Sequence, residues 1–139
     1  MPPDHAAQTM FATLPPVTRA LLLANGIVFL LQQVMGDALV IWFGLWPFGG
    51  SSFSGAPGFL PWQIVTYGFL HGGLFHLFFN MFALFMFGSD IERVFGQRRY
   101  LAYYFTCVIT AAVAQLLIAK FSGGPAYPTI GASGGVFGL

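Results

Sequence analysis

A chain of 139 residues with 57% hydrophobic and 18% aromatic residues against only 6% charged ones lies outside the composition of soluble domains. The length suits one domain, and a mean hydropathy of +0.77 means that its apolar surface has to be hidden in lipid or against other helices. The net charge of +1 and the lack of a basic run interleaved with aromatics exclude a nucleic-acid partner, and the single Cys107 builds neither a disulfide framework nor a Cys/His metal site.

Residues 1–16 form a polar, proline-containing start without Lys or Arg, unlike a secretory signal peptide; they read as a short tail. The first span is expected over about 18–36, apolar but interrupted by Asn25, Gly26, Gln32 and Gln33, as a signal anchor rather than a cleaved signal. Leu39 to Phe48 is apolar but far short of the roughly 20 residues that cross a bilayer, and Trp42 and Trp46 suit the membrane interface. With the Gly-, Ser- and Pro-rich stretch up to Pro61, residues 37–61 read as a membrane-associated external loop.

A second span is expected over about 62–87, its apolar run broken by Thr66, His71, His76 and Asn80, which should face protein or water. Gly88 to Arg99 collects Asp90, Glu92, Arg93, Arg98 and Arg99 and reads as a polar connection turned at Gly96. The third span, about 100–119, is free of charge between Arg99 and Lys120. A loop follows from Phe121 to Thr129, and 131–139 opens a fourth apolar element too short to cross. The arginines between the second and third spans put that connection, and the N-terminus, in the cytoplasm, and the loop before Ser133 outside. The seventeen phenylalanines need no explanation beyond lipid contact and helix packing.

Two constellations carry chemistry. Gly131-Ala132-Ser133-Gly134-Gly135 places a hydroxyl among small residues at the start of a helix, where unpaired N–H groups can stabilise an oxyanion. The plain alternative is a Ser N-cap followed by Gly134 and Gly138 as a GxxxG packing face. The same five residues match the G-x-S-x-G elbow of soluble hydrolases, but that elbow needs a preceding strand in an α/β chain, so that reading is rejected. In the second, His76 and Asn80 at i and i+4 share a helix face and can both donate toward one point. His71 lies five residues before His76, about 140° away on an ideal helix, which argues against a two-histidine metal site. The plain alternative here is a set of buried polar side chains bonding across a bundle.

The joint pattern of Trp62-Gln63-Ile64-Val65-Thr66, Phe69-Leu70-His71, His76-Leu77 with Asn80-Met81, Phe87-Gly88 with Glu92, and Gly131-Ala132-Ser133-Gly134 resembles the rhomboid family from the first span onward. The resemblance implies an all-α membrane protein, a rhomboid-like helical bundle with three full transmembrane helices and the start of a fourth, residues 17–139 being a partial rhomboid domain. It implies an intramembrane serine endopeptidase acting on transmembrane protein substrates within the bilayer, in a bacterial plasma membrane, without metal or organic cofactor. Ser133 would be the nucleophile, Gly131 the close-approach glycine of the G-x-S-G turn, His76 and Asn80 the oxyanion donors together with the Ser133 N–H, and His71 an accessory histidine. Glu92 would be a structural carboxylate near the cytoplasmic end, and Trp62 a structural residue beside the first external loop.

Two departures from the family pattern stand out. Gln63 occupies a position where many members carry an arginine that pins the external loop. The chain ends at Leu139, so the fifth and sixth helices and the base histidine of the family are missing, and the 139 residues alone are expected to be inactive, since a serine hydroxyl needs a base within reach. Gly131, Gly134 and Gly138 then look like a face prepared for one of the missing helices. The second functional reading is a rhomboid-like pseudoprotease that binds transmembrane clients without cleaving them; a third is a structural bundle or channel subunit.

Overall fold

The computed structural model describes residues 13–49, 57–123 and 127–139; most of the expected N-terminal tail and parts of the loops expected over 37–61 and 121–129 lie outside them. Among the described residues every regular element is helical, apart from one isolated bridge. Three helices are long and apolar enough to cross a membrane: α1 (Pro16–Met35), the continuous helix Leu74–Phe95, and a helix Gln97–Ser122, with mean hydropathies of 1.5, 1.5 and 1.9. The protein is a multi-pass integral membrane protein.

Pro15 and Pro16 set the start of α1, since proline suits the first helical position but offers no side-chain cap. The orphan N–H groups are met from elsewhere in the fold. One Glu92 oxygen accepts from Val17 N–H at 2.7 Å, and the other accepts from Thr18 N–H at 2.8 Å and the Thr18 hydroxyl at 2.7 Å. A buried carboxylate of the second long helix thus caps the first, across 74 residues of sequence. Glu92→Gln, which keeps the shape but leaves a single acceptor and sets an NH2 group against amide donors, is expected to cost about 2–4 kcal/mol. Thermal unfolding in detergent checks it; an unchanged Tm would remove the cap from the account.

The polar residues that interrupt the first span are absorbed locally or across the bundle. Asn25 donates to Leu21 O at 2.8 Å and Gln33 to Phe29 O at 3.4 Å, both within the helix, while Gln32 reaches the backbone of His71. After α1 the short α2 (Ala38–Phe43) is followed by Leu45, which forms the isolated bridge with Thr129, with N–H to O distances of 3.0 and 2.9 Å. Trp42 is exposed as an interfacial residue would be, but Trp46 is core, its indole N–H shared between Val40 O and Ile41 O. Spacing alone does not separate the two roles.

The region read as one span from Trp62 to Phe87 is interrupted. It contains α3 (Gln63–Thr66), a 3-10 turn Tyr67–Phe69, an extended stretch around Leu70 to Gly73, and only then α4 (Leu74–Ala83). The helix runs on through a π-helical segment Leu84–Gly88 into α5 (Ser89–Phe95). The supposed polar connection therefore reduces to Gly96, whose φ of 81° no side-chain-bearing residue adopts readily, and α6 (Gln97–Ser122) starts at once. Asp90, Glu92 and Arg93 sit on a helix, not in a loop. The core is one stripe of α6, Tyr100, Tyr104, Val108, Ala112 and Leu116, at four-residue spacing, packed with Tyr67, Leu84, Ala132 and Val136. The C-terminal element is a single turn, α7 (Ser133–Val136).

Candidate active site

The turn carrying Ser133 is held from three sides. The Leu45–Thr129 bridge fixes its approach, Tyr67 O accepts from Gly131 N–H at 3.0 Å, and His71 Nε2 accepts from Ala132 N–H at 3.4 Å. Tyr67 is itself locked, its hydroxyl donating to Val108 O at 2.6 Å. Gly131 has φ 122°, and a Cβ built on it would lie 2.7 Å from Cε1 and 2.8 Å from Nε2 of His76, with Ser133 Oγ at 3.8 Å. The imidazole of His76 and the hydroxyl of Ser133 therefore approach the same bare backbone. Among the described residues no acceptor meets the Ser133 N–H, as expected at the first residue of a helix.

His71 and His76, which an ideal helix would turn apart, lie with ring centroids 5.0 Å apart. The break between Leu70 and Gly73 brings them together, because His71 is no longer on the helix that carries His76. Gly72 N–H donates to His76 Nδ1 at 3.2 Å. An acceptor Nδ1 requires the proton of the neutral ring on Nε2, so His76 presents a donor toward Gly131. Asn80 is buried on the same face, and its Nδ2 donates to His76 O at 3.0 Å, leaving a second amide hydrogen.

Gln63 is fully buried and uses its whole amide. Oε1 accepts from Trp46 N–H at 3.2 Å and Leu60 N–H at 3.1 Å, and Nε2 donates to Gly58 O at 3.2 Å, with Trp42 O at 3.5 Å. Trp62, half exposed, donates its indole N–H to Trp42 O at 2.9 Å. The two side chains together tie the segment before α3 to α3 itself. Glu92 lies at the opposite end of the bundle, on the α1 cap, and contributes nothing to the Ser133 neighbourhood.

The glycines of the C-terminal turn correct one expectation. A Cβ on Gly134 would fall 2.8 Å from both Ala111 Cβ and Tyr67 Oη, and one on Gly135 2.7 Å from the Tyr104 ring, while Gly138 abuts Cys107 Sγ. The small residues serve close packing against α6 and Tyr67, both already present, rather than waiting for another helix. Tyr103 also donates to Gly138 O. What remains open beside Ser133 is a groove of about 540 Å3 lined by Thr106, Cys107, Thr110, Ala114 and Phe137.

Sequence reasoning missed Gln32 and Tyr67. The available signal was an amide inside an apolar span, which in hydrocarbon needs a partner.

Residues 59–139 match the rhomboid domain family. The chain is 38% identical over 77 residues to the rhomboid protease GluP of Bacillus subtilis (strain 168), an alignment covering 55% of this chain and 14% of that protein. It is 29% identical over 129 residues to the putative rhomboid protease YdcA of the same organism, covering 93% of this chain and 61% of that one. In both cases the chain spans less than two thirds of the relative's length. With more than half its residues inside the family match, the chain belongs to the rhomboid family.

Proposed function

We propose that the protein is an intramembrane serine endopeptidase in which Ser133 attacks a peptide bond in or near a substrate's transmembrane segment. The attack gives a tetrahedral oxyanion and then an acyl-enzyme. His76 Nε2–H, the Ser133 N–H and the second Asn80 amide hydrogen stabilise the oxyanion, and His71 steadies the turn through Ala132. The observation that carries the reading is the meeting of the His76 ring and the Ser133 hydroxyl at Gly131, with Gly72 N–H fixing His76 as a donor. The two relatives, whose names call them rhomboid proteases, support it.

The same hydrogen bond argues against His76 as the base. To take the serine proton at Nε2 the ring would need its own proton on Nδ1, where Gly72 N–H already points. On this reading the general base is a group other than His76, and the groove beside Ser133 is the side from which it would reach the hydroxyl. The arginines near Gly96 put that end of the bundle in the cytoplasm of a bacterial cell and Ser133 toward the outer side.

The test is labelling with a fluorophosphonate, which reacts with activated serines, applied to the 139-residue chain and to the protein expressed from its complete gene. An adduct at Ser133 in the protein from the complete gene is the expected result. No adduct in either would favour the second reading, a pseudoprotease that binds transmembrane clients. That reading has one observation on its side, that among the described residues the accepting nitrogens of both histidines, His76 Nδ1 and His71 Nε2, are already taken by backbone N–H groups.

A further inference from the structure

We infer that Gln32, on the first helix and remote from Ser133 in sequence, is a positioning residue for the oxyanion side of the site; the inference rests on the protease reading. Between the 3-10 turn and α4 the chain is extended, Leu70 at φ −90° and ψ 147° and Gly73 at φ 179° and ψ 173°. The His71 peptide groups there have no helical partners, and buried backbone groups in a membrane protein must find some. The Gln32 side-chain amide meets both. Its Nε2 donates to His71 O at 3.0 Å and its Oε1 accepts from His71 N–H at 3.0 Å, across 39 residues of sequence.

This pair of bonds imitates one rung of a sheet, and only a side chain with a donor and an acceptor at that reach can make it. What it fixes is the segment from which the site is read. The His71 ring reaches Ala132 N–H next to Ser133. The next residue, Gly72, supplies the N–H that holds His76 in its donor tautomer. Gln32 touches neither Ser133 nor the place of the scissile bond, so its effect passes through His71 and Gly72. Among the described residues neighbouring Gln33 bonds only along its own helix, to Phe29 O at 3.4 Å, and serves as an internal control.

The experiment uses the protein from its complete gene, reconstituted with a transmembrane reporter substrate, and compares Gln32→Met, Gln32→Glu and Gln33→Met. Gln32→Met is expected to lower kcat by on the order of tenfold to a hundredfold through misplacement of the donors, with KM unchanged because substrate-binding surfaces are intact. Gln32→Glu keeps the acceptor for His71 N–H without the donor for its carbonyl and should fall between, while Gln33→Met should match the unsubstituted protein. Histidine 15N spectra give a readout independent of turnover: the Nδ1 signal of His76, assigned with His76→Ala, should shift in Gln32→Met. Unchanged kcat with an unchanged spectrum overturns the inference, as does a kcat loss that only follows the loss of folded protein. If the unsubstituted protein shows no Ser133-dependent cleavage, the protease reading falls and takes the catalytic role of Gln32 with it. An intact protease with an indifferent Gln32→Met sinks this inference alone.

Discussion

Ser133→Ala is expected to abolish the fluorophosphonate adduct and to lower reporter cleavage by about 10⁴-fold or more, the scale on which acyl-transfer enzymes lose their nucleophile. Thr106, one of the two threonines lining the groove, donates to Ala102 O at 2.7 Å, turned along its own helix. Cys107 is packed against Gly138. Binding is another matter, because the alanine removes one oxygen and leaves the groove, the His76 donor and the Ser133 backbone N–H in place. A substrate should therefore still be retained by the inactive variant, as a complex that can be cross-linked and isolated. Cleavage surviving in Ser133→Ala would refute the nucleophile assignment, and loss of both cleavage and retention would point instead to a damaged turn.

The parts of the molecule that could be read from sequence are those governed by composition over many residues. Three long apolar helices follow from hydropathy because each needs only an average over about twenty positions. The interruption at Leu70 to Gly73 does not follow, since Phe69, Leu70 and Leu74 keep the stretch apolar and the extended backbone depends on a partner 39 residues earlier. Reading Trp62 to Phe87 as one helix also produced the wrong relation between His71 and His76. Angles on a continuous helix separate them, whereas the break sets their rings 5.0 Å apart.

Charge misled in a similar way. Asp90, Glu92 and Arg93 look like a loop, yet Glu92 is buried and spent on the N-terminus of α1, and Asp90 pairs with Arg93 one turn along on the exposed side. A helix end that starts with two prolines lacks its own cap, and a carboxylate elsewhere is the natural supply. That inference was available from Pro15 and Pro16 only if the two helices were already known to be neighbours. The glycines of the final turn show the opposite case. Their spacing correctly announced a close-packed face, but not which helix it met, and the stripe of α6 that receives them reads as ordinary lipid-facing sequence.

Gly131→Ala is the substitution expected to do most damage without removing a functional group. At φ 122° an alanine is strained by its own Cβ, about 1–2 kcal/mol if the turn is kept. The added carbon would also sit 2.7 to 2.8 Å from the His76 ring, inside any tolerated contact. Either the turn rotates and carries Ser133 away, or the ring swings out and gives up the bond from Gly72 N–H that makes it a donor. Both routes remove an oxyanion donor from its place, which is worth about 10²- to 10³-fold in kcat. The loss should appear in the rate of fluorophosphonate labelling at Ser133, with a much smaller change in Tm, since the helices are untouched. Gly26→Ala is the control, because nothing lies within 4 Å of its Cβ position and helix propensity favours alanine there; its labelling rate should not change. Wild-type labelling by Gly131→Ala would mean that His76 and Ser133 do not share the space around Gly131 during the reaction, and the donor role of His76 would fall with it.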